Sequence, residues 1–121
     1  MARPADGGFT LFEVLQAMAI ASIGLLALST LTMATISANA KARRMTTAAT
    51  LGEAKMEALR NTPYDDLADG ADELAQAGTS YSRSWSVCTS CPIDGAKQVA
   101  LTVRWDDRGT QALTLETVIA R

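Results

Sequence analysis

From Phe9 to Leu31 the chain reads FTLFEVLQAMAIASIGLLALSTL, an apolar run containing a single carboxylate, Glu13. As a helix this run reaches about 35 Å, enough to cross a hydrocarbon core of about 30 Å. Glu13 is also the only charged residue between Phe9 and Ala40, so almost all remaining charge lies beyond. A stretch committed to a membrane leaves about 80 residues to build a soluble core, a size at which a domain is marginal. A carboxylate inside a membrane segment costs roughly 2.5–3.5 kcal/mol on insertion scales, which marks the position as functional. A secretory signal peptide is the rival reading, with Ala38-Asn39-Ala40 as its A-x-A-like cleavage site. The run is long for a signal peptide, and an ordinary signal anchor would avoid the carboxylate.

The residues around that carboxylate favour another class. Gly7-Gly8-Phe9-Thr10-Leu11-Phe12-Glu13 closely resembles the type IV prepilin processing motif. The resemblance implies a leader at residues 1–8, removed by prepilin peptidase between Gly8 and Phe9, and methylation of the new amino group on Phe9. Glycine fits this role because it places no side chain beside the scissile bond. The resemblance further implies that Glu13 pairs with an N-terminal amine during filament assembly, which would offset the desolvation each charge suffers alone. It implies prepilin peptidase, other major and minor pilins, an inner-membrane assembly platform and, before assembly, membrane lipid as partners. The expected location is a single-pass inner-membrane protein with a periplasmic C-terminal domain, then the pilus at the cell surface. Two features depart from the family pattern. Gln16 is polar where the family has an apolar residue, and no proline lies between Pro4 and Pro63. The unbroken helix, with Gly24 its one weak point, favours a minor over a major subunit.

Beyond the hydrophobic segment at 9–36, the helix is expected to continue as an exported amphipathic half over 37–62, rich in good helix formers. Ala38, Ala42, Met45, Ala49, Gly52, Met56 and Leu59 recur at spacings of four and three, with Arg44, Lys55 and Arg60 largely on other faces. Pro63 closes the helix, because the residue before a proline disfavours helical geometry. Residues 63–80 read as a connecting loop with one short helical turn near Asp72–Gln76. Asp65, Asp66, Asp69 and Asp72 lack the ligand spacing of a calcium loop and read as a solvated acidic segment. Tyr81–Val87, Val99–Trp105 and Leu113–Ile119 each alternate with period two, as half-buried antiparallel strands do. Asp106-Asp107-Arg108-Gly109 is a hairpin turn between the last two. Trp85 and Trp105 read as core anchors, and Arg83, on an otherwise apolar face, is expected to reach the sheet edge. The whole predicts an α+β pilin fold, a long helix on an antiparallel sheet of about three strands within 81–121. Glu53–Leu67 and the W-D-x-x-G of Trp105–Gly109 also resemble the PilV-like minor pilins.

Cys88-Thr89-Ser90-Cys91-Pro92 falls between the first two predicted strands, in a loop of about ten residues. In an exported domain the pair is expected to be oxidised to a structural disulfide. A redox site would want its first cysteine at a helix N-terminus, and zinc would want more ligands than two cysteines. The chain has no histidine, no phosphate-binding glycine loop and no convincing carboxylate pair, so no enzyme, cofactor or metal site is expected. Net charge is −2, and Lys41, Arg43 and Arg44 form the one basic cluster. That cluster reads as solvated or facing lipid headgroups, and nucleic-acid binding is not expected. These features point to a minor pilin that primes assembly or forms the filament tip. A pseudopilin of a type II secretion or DNA-uptake system is the alternative, and an anchored CxxC redox or metal-binding protein a more distant one.

Overall fold

The computed structural model describes residues Gly7–Arg121; residues 1–6, most of the expected leader, lie outside the described residues. The chain divides into two units, residues 1–39 and 40–121. One helix, α1, runs Leu11–Arg60, so its first part belongs to one unit and its last part to the other.

In the first unit the helix carries apolar side chains on every face, and all are exposed. Its hydroxyls are turned back onto its own backbone. Ser22 donates to the Met18 carbonyl at 2.7 Å, Ser29 to Leu25 at 2.9 Å, and Thr32 to Leu28 at 3.0 Å. Such bonds let a polar side chain sit in hydrocarbon without an unsatisfied donor. Among the described residues this is the one helix long and apolar enough to cross a membrane. Gly24 does not interrupt it.

In the second unit Ala48, Gly52, Met56 and Leu59 form the buried face of α1. They lie on an antiparallel meander of four strands, β1 (Gly70–Gln76), β2 (Thr79–Thr89), β3 (Ala96–Asp106) and β4 (Thr110–Ala120), in that spatial order. The central strand β3 supplies the middle of the core, where Val99, Leu101 and Val103 are fully buried. Burial of each contributes about 1.5–3 kcal/mol. Trp105 is buried beside Ala48, Tyr81 and Val103, and Trp85 is half-buried against the cluster around Met56 and Leu101. Both tryptophans are thus core anchors, although the Trp105 indole N–H meets no acceptor among the described residues. Lys97 is buried as well. Its ammonium donates to the Tyr64 carbonyl at 2.6 Å and lies 4.5 Å from the Tyr64 ring, pinning the single 3-10 turn at Tyr64–Asp66.

Four expectations need correction. Residues 70–76, read as part of a loop with a helical turn, form the edge strand β1. Its register sets Gly70 opposite Trp85 and Asp72 opposite Arg83. The sheet therefore has four strands rather than about three. The helix stripe is buried at Gly52, Met56 and Leu59 but starts later than expected, since Ala38, Ala42 and Met45 are exposed and burial begins at Ala48. Arg44 and Lys55 do not point elsewhere. Arg44 pairs with Asp107 in the β3–β4 turn, and the half-buried Lys55 ammonium sits 3.9 Å from the Trp85 ring centroid. Finally, β2 extends through Thr89, so the cysteine loop is Ser90–Gly95 and Cys88 itself lies in the strand.

Gly52 is where helix and sheet come closest. A Cβ there would lie 2.8 Å from Leu115 Cδ1 and 3.3 Å from Val103 Cγ2. Replacing Gly52 with Leu should therefore force helix and sheet apart and cost about 3 kcal/mol, a cost typical of severe overpacking. Thermal unfolding of the detergent-solubilised protein checks this, and an unchanged midpoint would contradict the close approach.

Candidate functional site

The residues of the expected processing site lie just ahead of α1. Gly7, Gly8 and Phe9 precede the helix in a non-helical, exposed segment, with Phe9 88% exposed. A peptide bond in such a segment is free to enter a protease cleft, and neither glycine has any neighbour within reach of a Cβ. Thr10 is the N-cap. Its hydroxyl oxygen accepts from the Glu13 backbone N–H at 3.2 Å, while Glu13 Oε2 accepts from the Thr10 N–H at 2.8 Å and the Thr10 hydroxyl at 3.0 Å. This reciprocal pair is a capping box, which satisfies two donors that a helix start leaves open.

Sequence reasoning assigned Glu13 to assembly alone and overlooked the Thr-x-x-Glu signature that signals a cap. Glu13 Oε1 accepts no hydrogen bond among the described residues, so one carboxylate oxygen remains free. Gln16, three residues further on, shares that helix face and is exposed.

The two cysteines are joined. Cys88 and Cys91 form a disulfide with Cα atoms 5.6 Å apart, and no free cysteine remains. The loop they close is held at its base, where the Ser90 N–H donates to the Ala96 carbonyl at 3.0 Å. The Arg121 N–H donates to the Gly95 carbonyl at 3.1 Å, tying the end of β4 beside it. Cys88 sits near the end of a strand and not at a helix N-terminus. No group of side chains suited to holding a metal ion occurs among the described residues.

The acidic segment turns out to be partly structural. Asp72, on the edge strand, faces the helix and receives the Arg83 guanidinium twice, Nε and Nη2 each at 2.7 Å. Arg83 Nη1 also donates to the Leu51 carbonyl at 3.1 Å, and Lys55 lies 3.4 Å from Asp72. Arg83 does reach the sheet edge, as its placement on an apolar face requires. The hydrogen bonds from Arg83 hold the Asp72 carboxyl below its usual range, opposed by partial burial and assisted by the charges of Arg83 and Lys55. Asp69 accepts from the Val87 N–H at 2.6 Å, fixing the entry to β1. Asp65 and Asp66 remain exposed.

Comparison with known proteins bears on the helix start. Residues 3–29 match the prokaryotic N-terminal methylation motif, which spans the Gly8–Phe9 bond, the capping box and the first turns of the apolar helix. In that segment the chain is similar to proteins that carry this motif. Neither the curated proteins nor the solved structures give a significant match to the chain.

The Asp72 cluster makes a pH prediction. A carboxyl held below its ordinary value of about 3.9 stabilises the fold in full above that value, and the contribution is lost as pH falls from there through the lower folded-state value. Replacing Asp72 with Asn should lower stability at pH 7 by about 1.5–3 kcal/mol, the range for hydrogen bonds to charged groups. It should also flatten the acid limb of the stability profile below pH about 4. Thermal melts between pH 2.5 and 7 would show both effects, and parallel wild-type and variant profiles would refute the assignment.

Proposed function

We propose that this chain is a minor pilin subunit of a type IV pilus, cleaved by prepilin peptidase between Gly8 and Phe9 and methylated on Phe9. The observation that carries the reading is the convergence, at one point of the chain, of GGFTLFE, the methylation motif over residues 3–29 and the start of the apolar helix. The precursor inserts with its N-terminus in the cytoplasm, and removal of residues 1–8 leaves an ammonium group on Phe9. Glu13 lies one helical turn along, with a carboxylate oxygen to spare for an amine. That carboxylate steers the helix among neighbouring helices, because pairing offsets the cost of desolvating either charge alone. The sheet unit stays outside for contacts with other subunits. Low-copy use, in priming assembly or at the tip, is supported by the helix unbroken from Leu11 to Arg60 and by the PilV-like Glu53–Leu67 and Trp105–Gly109 segments. A pseudopilin of a secretion or uptake system shares the motif and differs in where the processed subunit accumulates.

Mass spectrometry of the N-terminal peptide, from membranes and from sheared surface filaments of the native host, tests the reading. A methylated Phe9 terminus in both fractions is expected. The same terminus in membranes alone would favour the pseudopilin, and an intact Met1 or a terminus near Ala40 would overturn both. Replacing Glu13 with Ala should leave cleavage intact and reduce incorporation into filaments by about a hundredfold or more, the equivalent of breaking one buried charge pairing. Normal incorporation would remove Glu13 from the mechanism.

A further inference from the structure

The two edges of the sheet are built differently. Strand β1 has 7 residues, with Asp72 and Glu73 among them, and turns Asp72 in to the Arg83 guanidinium. Past its end, the Val87 N–H is taken by the Asp69 carboxylate. Short edge strands and charges of this kind discourage pairing by other chains. Strand β4 has little of that protection. Its 11 residues pair with β3 at every position from Thr110 to Ala120 without a bulge, and they include no proline and one charge, Glu116.

The ladder shows which backbone groups of β4 are open. The Asp107 N–H donates to the Gly109 carbonyl at 3.0 Å and the Arg121 N–H to the Gly95 carbonyl at 3.1 Å, just beyond the two ends of the β3–β4 register. Bonded and non-bonded pairs alternate along an antiparallel ladder, so Leu113, Leu115, Thr117 and Ile119 direct their N–H and C=O groups to β3. Ala112, Thr114, Glu116 and Val118 direct theirs to the open side. Among the described residues nothing pairs with that side of the strand.

The core face beside this edge is unfinished. Leu113, Leu115 and Ile119 pack against the core yet stay half-buried, whereas Val99, Leu101 and Val103 on the central strand are fully buried. Two charges flank the edge on opposite faces. On the core face Arg60 donates to the Thr117 hydroxyl at 3.0 Å and has no carboxylate partner among the described residues. On the outer face Glu116 has the Gln98 amide at 3.4 Å and no cation.

We infer that β4 accepts an added antiparallel strand from a different protein, apolar at alternate positions toward the core face, with a carboxylate opposite Thr117 followed by a basic residue opposite Glu116. Bonds to the open N–H and C=O groups supply affinity, and the alternate side chains supply specificity. The charges and the anchor choose against a second copy. A parallel β4–β4 pair in register sets Glu116 against Glu116, and like charges directly opposite are destabilising. An antiparallel β4–β4 pair places the two β3–β4 turns at opposite ends. Helix α1 enters the unit beside that turn, at Arg44, so the two apolar segments would leave in opposite directions, which one membrane does not accommodate. One open edge takes one segment, and the contact ends there.

The test uses full-length protein in detergent micelles and the capped peptide Thr-Val-Thr-Glu-Lys-Val-Thr-Val-Thr, with amide hydrogen exchange read by NMR. With its Lys opposite Glu116, the peptide is expected to slow exchange at Ala112, Thr114, Glu116 and Val118 by about tenfold or more and to leave Leu113 and Leu115 unchanged. The same peptide with Glu and Lys transposed sets like charges against Glu116 and Arg60 and should protect about tenfold less. Thr114→Pro removes an open N–H without touching the bonds to β3, so it should keep the cooperative melt and abolish the protection. Glu116→Lys, an exposed substitution, should erase the preference between the two peptides. Equal protection of the native chain by both peptides, protection along β1 instead, or none would overturn the inference. Concentration-dependent protection of the same four N–H groups without peptide would overturn it in favour of a second copy. Exchange is read on the purified chain, so each of these failures leaves the reading of the Phe9 terminus untouched.

Discussion

The second unit depends on how closely α1 approaches β3. Ala48 and Gly52 present almost no side chain at the contact, so Leu115 and Val103 come to rest against the helix backbone. Met56 and Leu59 then fill the wider space toward the far end, over Val99 and Leu101. With so few residues committed to one core, each peripheral element needs its own tether. The β3–β4 turn is held by Arg44 and Asp107, the edge strand by Arg83, Lys55 and Asp72, and the connector after the helix by Lys97. Each joins a cation on one element to an acceptor on another. They fix where the ends of the meander lie along the helix more than they add to the core.

The same division explains what the sequence makes legible. Strands β2, β3 and β4 announce themselves because inward residues such as Tyr81, Val103 and Leu115 alternate with small polar ones. Strand β1 does not. Its inward positions are Gly70, Asp72 and Leu74, of which only Leu74 is apolar. Gly70 lacks a side chain because the Trp85 ring covers it, where a Cβ would fall 2.4 Å from Cζ2. Asp72 faces inward because Arg83, directly opposite, points inward too. Each looks like a loop residue until its cross-strand partner is known, and pairing across eleven residues leaves no local pattern. Arg83 on an apolar face was the one sign that a counter-charge had to be near.

The helix stripe was legible over Gly52, Met56 and Leu59 and overshot only at its start. Its period follows from helical geometry and is local, whereas its extent depends on where the sheet begins along the helix. The sheet covers the helix from about Arg44 onward, which leaves Met45 53% exposed on the flank. Arg44 and Lys55 could not be placed from periodicity, since both extend over the rim of the core to reach carboxylates on the sheet. The cysteine pair was legible as a bond because the N-terminus led to the expectation of an exported, oxidising setting. Its position at the end of a strand was not, because Thr89 and Cys88 continue the β2 ladder opposite Lys97 and Gln98 without an apolar alternation to mark them.

At the helix start two demands fall on one carboxylate. A helix N-terminus exposes N–H donors and a partial positive charge, and Glu13 in the capping box offsets both. Cleavage would add a full positive charge at Phe9, next to that partial charge, and so increase the demand on the same group. Thr10 keeps its own hydrogen-bonding groups through cleavage of the Gly8–Phe9 bond, so the cap is compatible with Oε1 serving an ammonium. A bond to that ammonium would carry charge on both partners, whereas the bonds that Glu13 accepts within the cap carry it on the carboxylate alone. The geometry does not require the ammonium to belong to the same chain. A neighbour's Phe9 would meet the same oxygen on an exposed helix face, with Gln16 beside it as a further polar contact. Under the proposed assembly role, a glutamate that caps the helix and accepts an amine from either source would need no rearrangement between the two roles.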